Sequence, residues 1–139
     1  MQCEITALAI LTDTLMSGKN VASVLGIIFV IVALIGFLGG WGIVGTNGIF
    51  ATDTMHDLVH LVIGLVLIIV AYGYPMYSST TLMVVGIVYA IVGIWGFVSG
   101  DMVPGILVNS ADDYLHILLA LISFFGGYLT RSDSSMNSM

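Results

Sequence analysis

Four long apolar stretches divide the chain, near residues 21–41, 55–74, 80–99 and 111–130, and the polar breaks in the second and fourth lie near one end only. Each run is longer than an ordinary strand and close to the roughly 20 residues that cross a bilayer as a helix. The runs are continuous rather than alternating, which excludes a β-barrel. Glycines recur within them at spacings that suit helices packed in lipid. The pattern predicts an all-α, integral membrane four-helix bundle occupying residues 21–130.

What lies outside the bundle reads differently. Residues 1–20 carry Ile5, Leu8, Leu11, Leu15 and Met16 at roughly helical spacing, which fits an amphipathic helix in the membrane interface or one that docks a partner. The stretch 131–139 is polar and reads as a disordered tail. The start, Met-Gln-Cys-Glu, has no basic region, so no cleaved signal peptide is expected. Cys3 is the single cysteine, which leaves the redox compartment unreadable.

Composition narrows the class further. Charged residues make up 7% of the chain and hydrophobic ones 59%, with a mean hydropathy of +1.16; a soluble domain carries about 25% charged residues. Two basic residues, Lys19 and Arg131, exclude a nucleic-acid partner, which needs many cationic contacts. Four spans put both termini on one side, and both basic residues flank that side. The positive-inside tendency then places the termini on the cytoplasmic side. Trp41 and Trp95 fall at the outer ends and Tyr72, Tyr74, Tyr77 and Tyr128 at the inner ends, where aromatic residues anchor spans.

The chain also repeats itself. A shift of 60 residues aligns Gly26 with Gly86, Val32 with Val92, Gly36 with Gly96, Phe37 with Phe97 and Gly40 with Gly100. A shift of 56 aligns Thr54 with Ser110, Asp57 with Asp113, His60 with His116 and Tyr72 with Tyr128. Two helical hairpins therefore follow one another, and copies with an even number of spans insert in parallel, about a pseudo-twofold axis along the membrane normal. Gly36 with Gly40, and Gly96 with Gly100, place small residues four apart, which lets another backbone approach closely.

Chemistry concentrates at the starts of the second and fourth helices. Thr54 to Asp57 and Ser110 to Asp113 both match the S/T-x-x-D capping box, with Thr54 and Ser110 as N-caps. The acids also suit the positive end of a helix. His60 and His116 lie six residues past those caps, about 9 Å along the helix, where a polar ring should face the bundle. Asp57 with His60 and Asp113 with His116 are i,i+3 pairs on one face. His56 joins the stripe at i,i+4 from His60, and Asp53 extends it if the helix reaches back that far.

Several readings compete there. One is hydrogen-bonded glue that fixes helix ends and register. A second is a transition-metal site, zinc or copper, with His56, Asp57, His60, Asp113 and His116 as ligands. A third makes the histidines axial ligands to a haem or chlorophyll-type pigment, and an Asp–His pair also suits proton transfer. No nucleophilic triad and no phosphate loop with a lysine is present, and no ionisable residue falls at the middle of a span. No catalytic residue is therefore assigned.

The segment Met55-His56-Asp57-Leu58-Val59-His60-Leu61-Val62-Ile63-Gly64 resembles an L-H-N-x-x-H-L-x-x-G motif, and Val108 to His116 resembles N-x-x-D-N-x-L-H. Both motifs are those of the small prokaryotic membrane proteins called domain of unknown function four-three-eight-three, and the resemblance covers residues 21–130. It implies a four-helix membrane protein with no established reaction, and it singles out His56, His60, Asp112 and His116. Asp57 and Asp113 stand where the family motif has Asn, the outer loop is shorter, and the added negative charge favours a cation. Two functions follow as expectations. The first is a non-enzymatic accessory or scaffold subunit of a larger membrane complex, with other membrane proteins as partners. The alternative is a metal- or cofactor-binding membrane protein that uses an extracytoplasmic Asp–His cluster.

Overall fold

The first helix starts where Ser17 can cap it: the Ser17 hydroxyl accepts a hydrogen bond from the Asn20 amide at 3.3 Å. The computed structural model describes residues 17–100 and 102–131. Among them are four α-helices: α1 (Gly18–Phe37), α2 (Thr54–Gly73), α3 (Ser78–Ser99) and α4 (Ser110–Leu129). A helix of twenty residues is about 30 Å long, the thickness of the hydrocarbon layer. Residues 1–16 of the expected interfacial segment and residues 132–139 of the expected tail lie outside the described residues.

The first span is displaced from its expected position. Lys19 sits in the first turn of α1 rather than before it, and α1 stops at Phe37. The stop has a backbone cause. Gly39 and Gly40 take φ of +99° and +68°, and Trp41 follows at +46°, a left-handed run that cannot continue a right-handed helix. Gly40 is therefore off the helix face on which it was expected to pack. Gly100 is likewise past the end of α3, at φ +65°, with open space where a Cβ would stand. Of the four glycines expected to line grooves, Gly36 and Gly96 alone stay helical.

The caps are corrected by one residue. Asp53, not Thr54, is the N-cap of α2, accepting from the His56 amide at 2.8 Å. Asn109, not Ser110, caps α4, and it forms a reciprocal capping box with Asp112. Thr54 and Ser110 are the first helical residues instead. The earlier residues win because each also reaches across the molecule. Asp53 accepts from the Leu107 amide at 3.2 Å, and Asn109 donates to the Ile49 carbonyl at 3.0 Å. Thus each outer connection braces the start of the other hairpin's second helix. The second connection is a short antiparallel ribbon, β1 (Met102–Val103) and β2 (Ile106–Leu107).

Packing is closest within α1/α2 and within α3/α4. Gly26 and Gly64 face each other so tightly that a Cβ on either would lie 2.8 Å from the other's carbonyl oxygen. In the second hairpin, a Cβ on Gly86 would come 2.6 Å from the Phe124 amide. The two hairpins meet through a thinner seam whose centre is Phe29 of α1 stacked on Tyr89 of α3, 5.4 Å between ring centroids. Leu25, Leu67, Leu82, Ala22, Ala71 and Ala120 complete the core.

The polarity of the bundle is inverted. Ile27, Ile31, Leu34, Val62, Ile69, Ile91, Ile94 and Leu121 point outward, whereas His56, Asp57, His60, Asp112, Asp113 and His116 are buried. Water would penalise so continuous an apolar exterior; lipid does not. Among the described residues, three helical segments are long and apolar enough to cross a membrane: Gly18–Phe37, Thr54–Gly73 and Pro75–Ser99. Helix α4 has the same length as α1 and α2 but carries Asp112 and Asp113 in its first turn, and it packs along α3 as the fourth member of the bundle.

Candidate metal centre

Three imidazoles meet at the end of the bundle where α2 and α4 begin. His56 and His60 are one turn apart on α2, and the α2–α3 turn at Pro75–Tyr77 brings the second hairpin back so that His116 of α4 faces them. Ring centroids are 4.7 Å apart for His56 and His60, 5.6 Å for His56 and His116, and 6.2 Å for His60 and His116. One ligand nitrogen from each ring lies within 4.8 Å of the others. Nitrogens bound to one zinc ion at about 2.0–2.1 Å stand roughly 3.4 Å apart in a tetrahedron.

Each ring is held differently. His56 Nδ1 lies 2.8 Å from the Leu107 carbonyl oxygen. A carbonyl only accepts, so Nδ1 carries a proton and Nε2 is the nitrogen turned away from that bond. That arrangement, a backbone carbonyl orienting a ligating imidazole, recurs behind metal-bound histidines. His60 is fixed by stacking on Phe29 at 5.4 Å. Neither of its nitrogens has a hydrogen-bond partner among the described residues, although both are buried. The Nδ1 of His116 is in the same position. A buried polar atom left unpaired costs about 1–3 kcal/mol, and one ion would engage one nitrogen of each ring, relieving one on His60 and one on His116.

The carboxylates expected in the metal shell are elsewhere. Asp57 turns toward α1 and fills the space beside Gly36, and Asp113 fills the matching space beside Gly96. Neither joins the three-imidazole group. The Thr52 hydroxyl stands beside Asp57. Glycine at 36 and 96 is what admits an acid at the fourth residue of the neighbouring helix, so these pairs are interhelical packing. Asp112 is spoken for as well: it accepts from the Asn109 amide at 3.1 Å and from the Ala51 backbone, close to His56. The structure thus unites His56, His60 and His116 and separates Asp57 and Asp113 from them.

Tyr89 was not singled out from the sequence, yet it is part of this centre. Its ring is 5.3 Å from that of His116 and 6.3 Å from that of His60. The signal was present in the repeat: a shift of 60 places Tyr89 on Phe29, so a phenol replaces a phenyl ring at matching positions. Leu107 was invisible for another reason, since it acts through its carbonyl, which every residue has.

A cavity of about 50 Å³ opens beside the rings, lined by the three histidines, Tyr89 and apolar residues including Val59, Val92 and Val108. Pockets that take drug-sized or larger ligands are about 300–1,000 Å³, so a haem or chlorophyll-type pigment is not supported by this space. What the arrangement offers is three buried imidazoles that could hold one metal ion, a nitrogen-rich set of the kind that suits borderline transition metals.

The family model described as Domain of unknown function (DUF4383) matches residues 19–129. No curated protein matches the chain, and no solved structure does.

Proposed function

The chain belongs to the DUF4383 family, a domain of unknown function, and from that premise we propose that it is an integral membrane protein that binds one zinc or copper ion through His56, His60 and His116. The observation that carries this reading is the convergence of three buried imidazoles with ligand nitrogens within 4.8 Å, two of those rings bearing nitrogens that no other described residue engages. The role is binding rather than catalysis.

Four spans and a pseudo-twofold relation between the hairpins are part of the proposal. Matching pairs support it: Gly36 with Asp57 recurs as Gly96 with Asp113, and Gly26 against Gly64 recurs as Gly86 against Ala120. Lys19 over the Tyr72 ring and Arg131 over the Tyr128 ring gather the positive charge at the end opposite the histidines. By the positive-inside tendency that end is cytoplasmic, and the metal centre faces the extracytoplasmic side. The accessory-subunit reading gains no separate support, because lipid covers the exposed apolar faces as well as a partner would.

Purification in mild detergent, incubation with zinc or copper, gel filtration and elemental analysis test the proposal. About one equivalent of metal is expected in the parent and almost none in the His56→Ala/His60→Ala/His116→Ala variant, with helical circular dichroism retained in both. A folded parent that elutes free of both metals would sink it.

A further inference from the structure

The proposed metal centre leaves one feature without use: the cavity beside it. A three-histidine shell fills three positions of a tetrahedral ion and leaves the fourth for a ligand from outside. The cavity that the three histidines line is about 50 Å³ and its remaining walls are almost wholly apolar, with Val59 and Ile63 from α2, Val88 and Val92 from α3, and Val108 following β2. A cavity of this volume admits one or two water-sized molecules and excludes larger ones.

Tyr89 supplies the second observation. It is 3% exposed and lines this cavity, and its hydroxyl is buried with no hydrogen-bond partner among the described residues. At the matching position of the first hairpin stands Phe29, which has no hydroxyl and spends its ring stacked between His60 and Tyr89. A buried phenol hydroxyl almost always finds a partner, and the cavity is the place where one can arrive.

We propose that the cavity bounded by Tyr89, Val92 and the three histidines is the site of a small metal-bound ligand of two or three heavy atoms, of the class of dioxygen, nitric oxide or azide, which accepts a hydrogen bond from the Tyr89 hydroxyl. The apolar walls keep bulk water from the open coordination position, and the phenol is the single polar side chain there besides the ligands themselves. The inference rests on the metal reading and adds to it the fourth position and what occupies it.

Azide is the probe, titrated into the copper(II)-loaded protein in detergent, with metal content measured on the same samples. A saturable azide-to-copper charge-transfer band is expected in the parent. Val92→Phe, which fills the cavity from α3 without touching a ligand, should abolish the band while copper stays near one equivalent. Val59→Phe fills it from α2 and serves if the first variant loses its fold. Tyr89→Phe should weaken azide binding about tenfold, the loss of one hydrogen bond to a charged acceptor, again with copper retained. Copper-loaded parent without an azide band, or equal azide affinity in parent and Val92→Phe, overturns the cavity ligand and leaves the metal site standing. A folded parent that takes no copper overturns both.

Discussion

A methyl group at residue 36 has no place to go, because the Asp57 carboxylate already occupies the space it would need, and the same holds for residue 96 and Asp113. Gly36→Ala or Gly96→Ala therefore forces a buried acid to move inside a tight helix pair. Overpacking of this kind costs about 1–3 kcal/mol, read as a lower midpoint in thermal unfolding followed by circular dichroism in detergent. The paired change Gly36→Ala/Asp57→Ala removes the collision, so its cost should be less than the sum of the two single changes. Equal and additive losses would mean that Gly36 and Asp57 do not share a site. The same pairing explains why two of the five candidate ligands, Asp57 and Asp113, lie apart from the three histidines. Asp57 and Asp113 share a helix turn with His60 and His116, and spacing along one helix cannot tell which neighbouring helix a side chain will meet. The partners that decide it, Gly36 and Gly96, lie on another helix.

Helix starts show how one element is set by another. The motif S/T-x-x-D is present at Thr54 and Ser110, yet Asp53 and Asn109 take the caps because their side chains also bind Leu107 and Ile49 in the opposite connections. Local sequence offers both solutions within about a kilocalorie per mole, and the tertiary bond chooses. Asp53 thus does two jobs: it caps α2, and it holds the ribbon whose Leu107 carbonyl orients His56. Asp53→Ala should cost about 1 kcal/mol of stability for the lost cap and lower metal affinity by about tenfold, at the lower end for an outer-shell partner. Asp53→Asn keeps one accepting oxygen for the cap but sets an amide donor against the Leu107 N–H, so it should recover the cap's share of the stability without the bond to the ribbon. A loss of stability with unchanged metal affinity would separate the cap from the site. The elements themselves were easier to read than their ends. Apolar runs of about twenty residues leave a helix as the one element that satisfies its backbone in lipid, whereas the end of α1 depends on three successive left-handed residues, Gly39 to Trp41.

At the scale of the whole molecule, the arrangement in the membrane follows from α4. Its acids make it the least apolar of the four helices, and three helical segments, not four, are long and apolar enough to span unaided among the described residues. Its buried face nonetheless carries Asp112, Asp113 and His116 against the bundle, and its outward face presents Leu118, Leu121, Ile122 and Phe125. The proposal of four spans requires a helix with this division to cross as a companion of α3, with its acids shielded. On that proposal four crossings return the chain to its starting side, with Lys19 and Arg131 at the same end. Native Cys3 and a cysteine introduced in place of Thr46, exposed in the first outer connection, give the direct measurement. In intact cells a membrane-impermeant maleimide should label the Thr46→Cys variant made in a Cys3→Ser background, and should leave native Cys3 unlabelled until the cells are opened. A second variant, Arg131→Cys in the same background, should behave like the parent with its native Cys3. Labelling at residue 131 in intact cells alongside residue 46 would mean that α4 does not cross, and His116 would then lose the partners on α2 that the proposed metal centre requires.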